Sequence, residues 1–231
     1  MLRTWHRCLV ALLSVILITS SAFATDISET IQTGTDDAAD IGTTPTYDED
    51  DNYYVHTSNT ALNAIIGYRF QGVDIPAGAT ITAANLKVIS FAGCAVRGGC
   101  VSNCFMVLAD DPDTWSAGNR PKDASLSVGF GTMTVVGTDT YDGLYVVRNC
   151  NTSNSIPTKY LYEGVQEVVD RVGWASGQDM AVILKKQSVA TGNQIIFYNY
   201  EGEVGAVAQL EITYTTGGVT PVFGQVIITS S

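Results

Sequence analysis

Carboxylates dominate the chemistry that this chain could offer. Asp36-Asp37-x-x-Asp40 and Asp48-Glu49-Asp50-Asp51 crowd the first quarter, and Asp110-Asp111-Pro112-Asp113 follows an apolar segment further on. Two carboxylates held roughly 5–10 Å apart, one with a raised pKa, can cleave a glycosidic bond. Aspartates clustered in polar loops lack the burial that raises a pKa, so an enzyme is not expected. Hard cations are a better match, because calcium takes several oxygens from carboxylates and loop carbonyls. Asp36, Asp37, Asp40, Asp110, Asp111 and Asp113 are therefore candidate calcium ligands, although neither cluster has the spacing of an EF-hand loop. A solvated acidic loop is the alternative.

Nucleophilic catalysis has little to work with. Beyond the first 24 residues the chain has a single histidine, His56, and no G-x-S-x-G elbow accompanies it. A lone histidine of this kind serves packing or the surface. The glycines are dispersed between strand-like segments, where turns account for them, so no phosphate-cradling loop is present.

Arg3 and Arg7 precede an apolar run from Leu9 to Ile18, and small residues end in Ala22-Phe23-Ala24. A basic start, a short apolar stretch and an A-x-A site describe a secretory signal peptide, expected over residues 1–24 with cleavage before Thr25. The run is shorter than the roughly 20 residues that span a bilayer. Loss of those two arginines leaves 10 Lys+Arg against 23 Asp+Glu, a net charge of −13. Such a surface repels nucleic acid and anionic membranes. The expected address is secreted, extracellular or on the cell surface.

That address changes the meaning of the cysteines. Cys94, Cys100, Cys104 and Cys150 remain after the signal, and an even count in a secreted chain argues for disulfides over a zinc site. Four cysteines allow three pairings; the favoured one is Cys94 with Cys100 and Cys104 with Cys150.

The elements that position these groups read as strands. Ile66, Tyr68 and Phe70 point one way with Arg69 between them, a Pro76/Gly78 turn follows, and Leu86 and Val88 resume the alternation. Met180–Leu184 is continuously apolar and reads as a central strand. Leu210, Ile212 and Tyr214 line one face of a closing strand. Val165, Val168, Val169 and Val172 share one helical face, with Gly173 placed as its cap. Residues 116–131 read as a long loop. The fold class is all-β: a jelly-roll-like antiparallel β-sandwich with one short helix, over residues 25–214.

The stretch YRFQGVDIPAGATITAANLKV resembles the core of DNRLRE-type secreted domains, and VQEVVDRVGWASGQDMAVIL and AQLEITY fit the same pattern. The resemblance implies a module like those that bind carbohydrate, in which exposed aromatic faces stack on sugars. Trp115, Trp174, Tyr141 and Tyr145 are the leading candidates, with Tyr198 and Tyr200 behind them. Trp115, between Asp113 and Ser116, is expected to be the most exposed.

Residues 215–231 form a Thr/Gly linker and an uncharged tail, in which Val222, Phe223, Val226, Ile227 and Ile228 favour a strand. An uncharged strand in water invites pairing. The expected function is non-catalytic binding or adhesion outside the cell, with polysaccharide as partner. The alternative is a structural subunit of an extracellular filament or surface layer, in which the tail adds a strand to another copy of the chain.

Overall fold

The computed structural model describes residues 23–44, 46–48, 53–57, 59–91, 100–135, 145–150, 160–189, 194–202 and 207–217. Twelve strands and one α-helix occur among them: β1 (Ala24–Thr30), β2 (Asp37–Ile41), β3 (Thr46–Asp48), β4 (Tyr53–Thr57), β5 (Ala64–Val73), β6 (Thr80–Phe91), β7 (Cys100–Val107), β8 (Leu126–Val135), β9 (Tyr145–Cys150), α1 (Leu161–Val169), β10 (Gln178–Val189), β11 (Gln194–Tyr198) and β12 (Gln209–Thr215). They form two antiparallel sheets. One runs β1-β12-β6-β11-β4, with β9 also paired to β6; the other runs β3-β2-β5-β10-β7-β8. The described residues build the expected β-sandwich with one α-helix.

Alternation decides what lies between the sheets. Ile66, Tyr68 and Phe70 of β5 and Leu210, Ile212 and Tyr214 of β12 face inward, as do Leu86 and Val88 of β6. The apolar run Met180–Leu184 is the middle of β10, flanked by β5 and β7 and buried on both faces. Its second face is covered because residues 108–125 fold back across the outside of that sheet. Trp115 seals a small second core there with Ala38, Val107, Ala181 and Ile183. Gly67 permits the approach: a Cβ at that position would meet the Trp115 ring at 2.6 Å. The region read as loop over 116–131 is therefore a cover and then half of a strand, since β8 begins at Leu126.

Side-chain links cross between the two sheets. Cys104 of β7 and Cys150 of β9 form a disulfide with Cα atoms 6.3 Å apart. His56 of β4 shares a hydrogen bond with Ser102 of β7 at 2.7 Å, both side chains being fully buried. Burial pushes the imidazole pKa down to about 3, so His56 is neutral packing material at ordinary pH.

Helix α1 plugs one end of the sandwich and ties to both sheets through adjacent side chains. Gln166 accepts from the Ile81 N–H at 2.7 Å and donates to the Ala79 carbonyl at 3.0 Å. Glu167 accepts from Val128 and Gly129 N–H groups on the edge of β8, at 3.0 and 2.6 Å. Gly164 lets the helix touch that edge, since a Cβ there would lie 2.7 Å from the Gly129 carbonyl. Leu161, Val165, Val168 and Val169 are buried, but the helix stops before Val172. Val172 is fully exposed rather than part of the stripe, and Asp170, not Gly173, closes the helix.

Candidate functional site

The outer face of the sheet built on β12 presents a flat, polar grid. Register places Asp26, Thr213 and Ala83 in one row, Ser28, Glu211 and Asn85 in the next, and Thr30, Gln209 and Lys87 in a third. Threonine, serine and amide side chains on alternate positions of three neighbouring strands must share one face. They hydrogen-bond across strands: Thr213 to Asp26 at 2.7 Å, Gln209 to Ser28 at 2.7 Å and Asn85 to Glu211 at 3.2 Å, with Lys87 also on Glu211. Ala83 and Ala84, short beside these neighbours, leave a shallow groove of about 460 Å³ bordered by Asp26, Ser28, Asn85, Glu211 and Thr213. Donors and acceptors at fixed strand spacing can hold a chain of hydroxyl groups lying across them.

The aromatic residues expected to stack on sugars are elsewhere. Trp115 and Trp174 are each 3% exposed. Trp115 is spent on covering β5 and β10, which corrects the expectation that its polar neighbours keep it in water. Trp174 is anchored in the main core, its indole N–H donating to the Ile75 carbonyl at 3.0 Å. Neither presents a free ring face. Tyr200 is exposed at 39%. Tyr145 lies on β9 next to Phe91 of β6, while Tyr141 falls outside the described residues.

The first cluster of candidate calcium ligands is not a solvated loop, whereas Asp110, Asp111 and Asp113 do lie in the irregular segment after β7. Asp36, Asp37 and Asp40 are at most 1% exposed. Asp36 accepts from the N–H groups of Gln32 and Thr33, the Thr33 hydroxyl, the Gln71 carboxamide at 2.7 Å and the Arg69 guanidinium at 2.6 Å. Asp40, two positions from Ala38, faces the covered outer side and accepts from Arg120 and from the Lys122 N–H at 2.8 Å. Arginine thus occupies oxygens of Asp36 and Asp40 that sequence spacing offered to a cation. Arg69 also holds Asp179 and the Pro112 carbonyl, tying the cover to the sheet. Asp110 pairs with Arg171, Asp111 accepts from the Asp179 N–H at 2.9 Å, and Asp113 offers its backbone carbonyl to Asn119 at 3.1 Å. Among the described residues no three His, Cys, Asp or Glu side chains gather as a metal cluster.

Asp37 differs from its neighbours. It sits opposite Tyr68 in the β2–β5 register and points between the sheets. Burial pushes its carboxyl pKa up to about 8, the Tyr200 N–H opposes this, and the negative charges of Glu201 and Asp36 add to it. No feature of the local sequence separated Asp37 from Asp36; only the pairing of β2 with β5 does.

Of the cysteines, Cys104 and Cys150 pair as the favoured connectivity has it, and Cys94 lies outside the described residues, so its bond to Cys100 is not described. The expected signal and the tail residues Val222, Phe223, Val226, Ile227 and Ile228 are also outside them. No helix among the described residues is long and apolar enough to cross a membrane. No family model matches this chain, and no curated protein matches it.

Proposed function

We propose that this protein is a secreted, non-catalytic β-sandwich that binds a neutral polysaccharide at the cell exterior through the outer face of the β1-β12-β6 strands. The observation that carries the reading is the grooved grid of Asp26, Ser28, Asn85, Glu211 and Thr213. Its groups are ordered by cross-strand hydrogen bonds, so little side-chain freedom is lost when a ligand docks. A net charge of −13 after signal removal favours an uncharged glycan over a polyanion. The resemblance to DNRLRE-type modules points the same way.

Glycan arrays and sedimentation with insoluble polysaccharides test it. Binding to a neutral glycan should weaken about tenfold in Asn85→Ala and again in Glu211→Ala, as lost hydrogen bonds to a ligand do. Unchanged binding in both variants, or no binding by the parent protein, defeats the reading.

The filament alternative has one specific support. Strand β1 has β12 on one side and no strand on the other among the described residues, and β12 ends at Thr215 directly opposite Ala24. Residues 216 and 217, which follow β12, therefore lie beside an edge that is open among the described residues, where strand addition is possible. Deleting 218–231 should leave melting unchanged and abolish filaments seen by electron microscopy. A parent protein that never assembles eliminates this alternative.

A further inference from the structure

Three buried oxygens, on residues that neighbour one another, lack a hydrogen-bond partner. Asp37 accepts from the Tyr200 N–H at 2.8 Å through Oδ2, while its Oδ1 has none. The Tyr68 hydroxyl, across the β2–β5 register, has none either. From the other sheet comes Asn199, just after β11, whose side chain meets the Tyr54 hydroxyl and whose Oδ1 has no donor. All three residues are fully buried. They form one neighbourhood: Asp37 and Tyr68 both bear electrostatically on Tyr54, and Asn199 adjoins the Tyr54 hydroxyl. That hydroxyl is itself directed at the Asp48 carbonyl at 3.2 Å.

More than nine in ten buried polar groups in folded proteins find partners, so this concentration marks a place that something completes. Its chemistry is oxygen-rich and negative. Glu201, on the turn after Asn199, adds a second negative charge that bears on Asp37, and its carboxylate lies where a Cβ at Gly34 would be. An anion would meet two carboxylates. A hard cation would meet a carboxylate, an amide oxygen and a phenol oxygen, with a second carboxylate in reach. Calcium accepts such mixed and irregular oxygen shells, whereas magnesium demands near-octahedral geometry and keeps its waters.

We infer that Asp37 Oδ1, Asn199 Oδ1 and the Tyr68 hydroxyl, with the Glu201 carboxylate nearby, form an interior site for one calcium-class cation that clamps β2 of one sheet to the turn after β11 of the other. The site takes one aspartate from the sequence cluster and leaves Asp36 and Asp40 to arginine. It stands apart from the grid on the outer face.

The test compares melting of the full chain in calcium and in chelator at constant ionic strength. Calcium at 100 times its Kd should raise the melting temperature by about 5–10 °C for a domain of this size. Asp37→Asn keeps the Tyr200 contact and should abolish the shift, and Asp110→Asn should retain it. Terbium should give tyrosine-sensitised emission with the parent protein, displaced by calcium and absent in Asp37→Asn. Should that variant not fold, Asn199→Ala carries the comparison and should reduce the shift. An undiminished shift in the folded variants places the cation elsewhere and overturns the inference. A parent protein with no calcium shift and no terbium emission overturns it as well.

Discussion

Asp36 and Asp37 are adjacent, equally buried and opposite in circumstance. Asp36 is held by five donors, one of them the Arg69 guanidinium. Asp37 has one donor, a raised pKa and an oxygen left over. Asp36 ends a short 3-10 turn and Asp37 begins β2, so one carboxylate meets the arginine and its neighbour, opposite Tyr68, enters the core. Burial alone therefore says nothing about whether a carboxylate is structural. What matters is how many of its acceptor positions the fold has already filled.

Breaking the saturated side should give the largest effect. Arg69→Met strips Asp36 of its counter-charge and leaves Asp179 Oδ2 and the Pro112 carbonyl without the guanidinium donor. Removing one partner of a buried ion pair costs about 3–5 kcal/mol. Denaturant unfolding should show that loss, and the double variant Asp36→Asn/Arg69→Met should recover part of it. If Arg69→Met is within about 0.5 kcal/mol of the parent, the level of a neutral surface change, the network does not hold the cover down.

Much of the frame was open to reading because it is local. Alternation in 64–73 and 80–91 and the apolar run at 180–184 declare their faces within a few residues, and packing obeyed them. The carboxylates were not readable in the same way. Asp36 meets Arg69 33 residues away, and Asp40 meets Arg120 across 80. Strands β1, β2 and β3, in a segment rich in Thr, Asp and Gly, carry little periodic signal and exist because β12, β5 and β2 respectively supply their partners. The burial of Trp115 follows the same logic, since a polar loop becomes a lid only when a sheet has an apolar second face to cover.

His56 sharpens the comparison on the basic side, as a buried group with one filled nitrogen and one without a partner. Its folded pKa of about 3 lies below the unfolded value near 6.5. A depressed histidine favours the fold above the unfolded pKa, and that advantage is lost as pH falls from 6.5 toward 3. One proton changes stability by about 1.4 kcal/mol per pH unit, so roughly 3 kcal/mol should be gone by pH 4. Melting from pH 7 to 4 should fall less steeply in His56→Gln than in the parent; parallel curves would assign the acid sensitivity to the carboxylates.

The two tryptophans offer the finest test, because they are equally buried and differ in a single hydrogen bond. The Trp174 indole N–H reaches the Ile75 carbonyl, whereas the Trp115 N–H, lodged under the cover, has no acceptor. Replacement by phenylalanine trims ring volume at both sites. At Trp174 it also orphans a buried carbonyl, and at Trp115 it removes a buried donor that already lacked a partner. An unsatisfied buried group costs about 1–3 kcal/mol, so Trp174→Phe should be the more destabilising by at least about 1 kcal/mol. Trp115→Phe should stay within about 1 kcal/mol of the parent, its lost packing offset by the donor it no longer buries. Equal losses at the two sites would mean that ring volume alone sets the cost. A larger loss at Trp115 would mean that its N–H has an acceptor, and the second core under the cover would then belong with Asp36 on the saturated side.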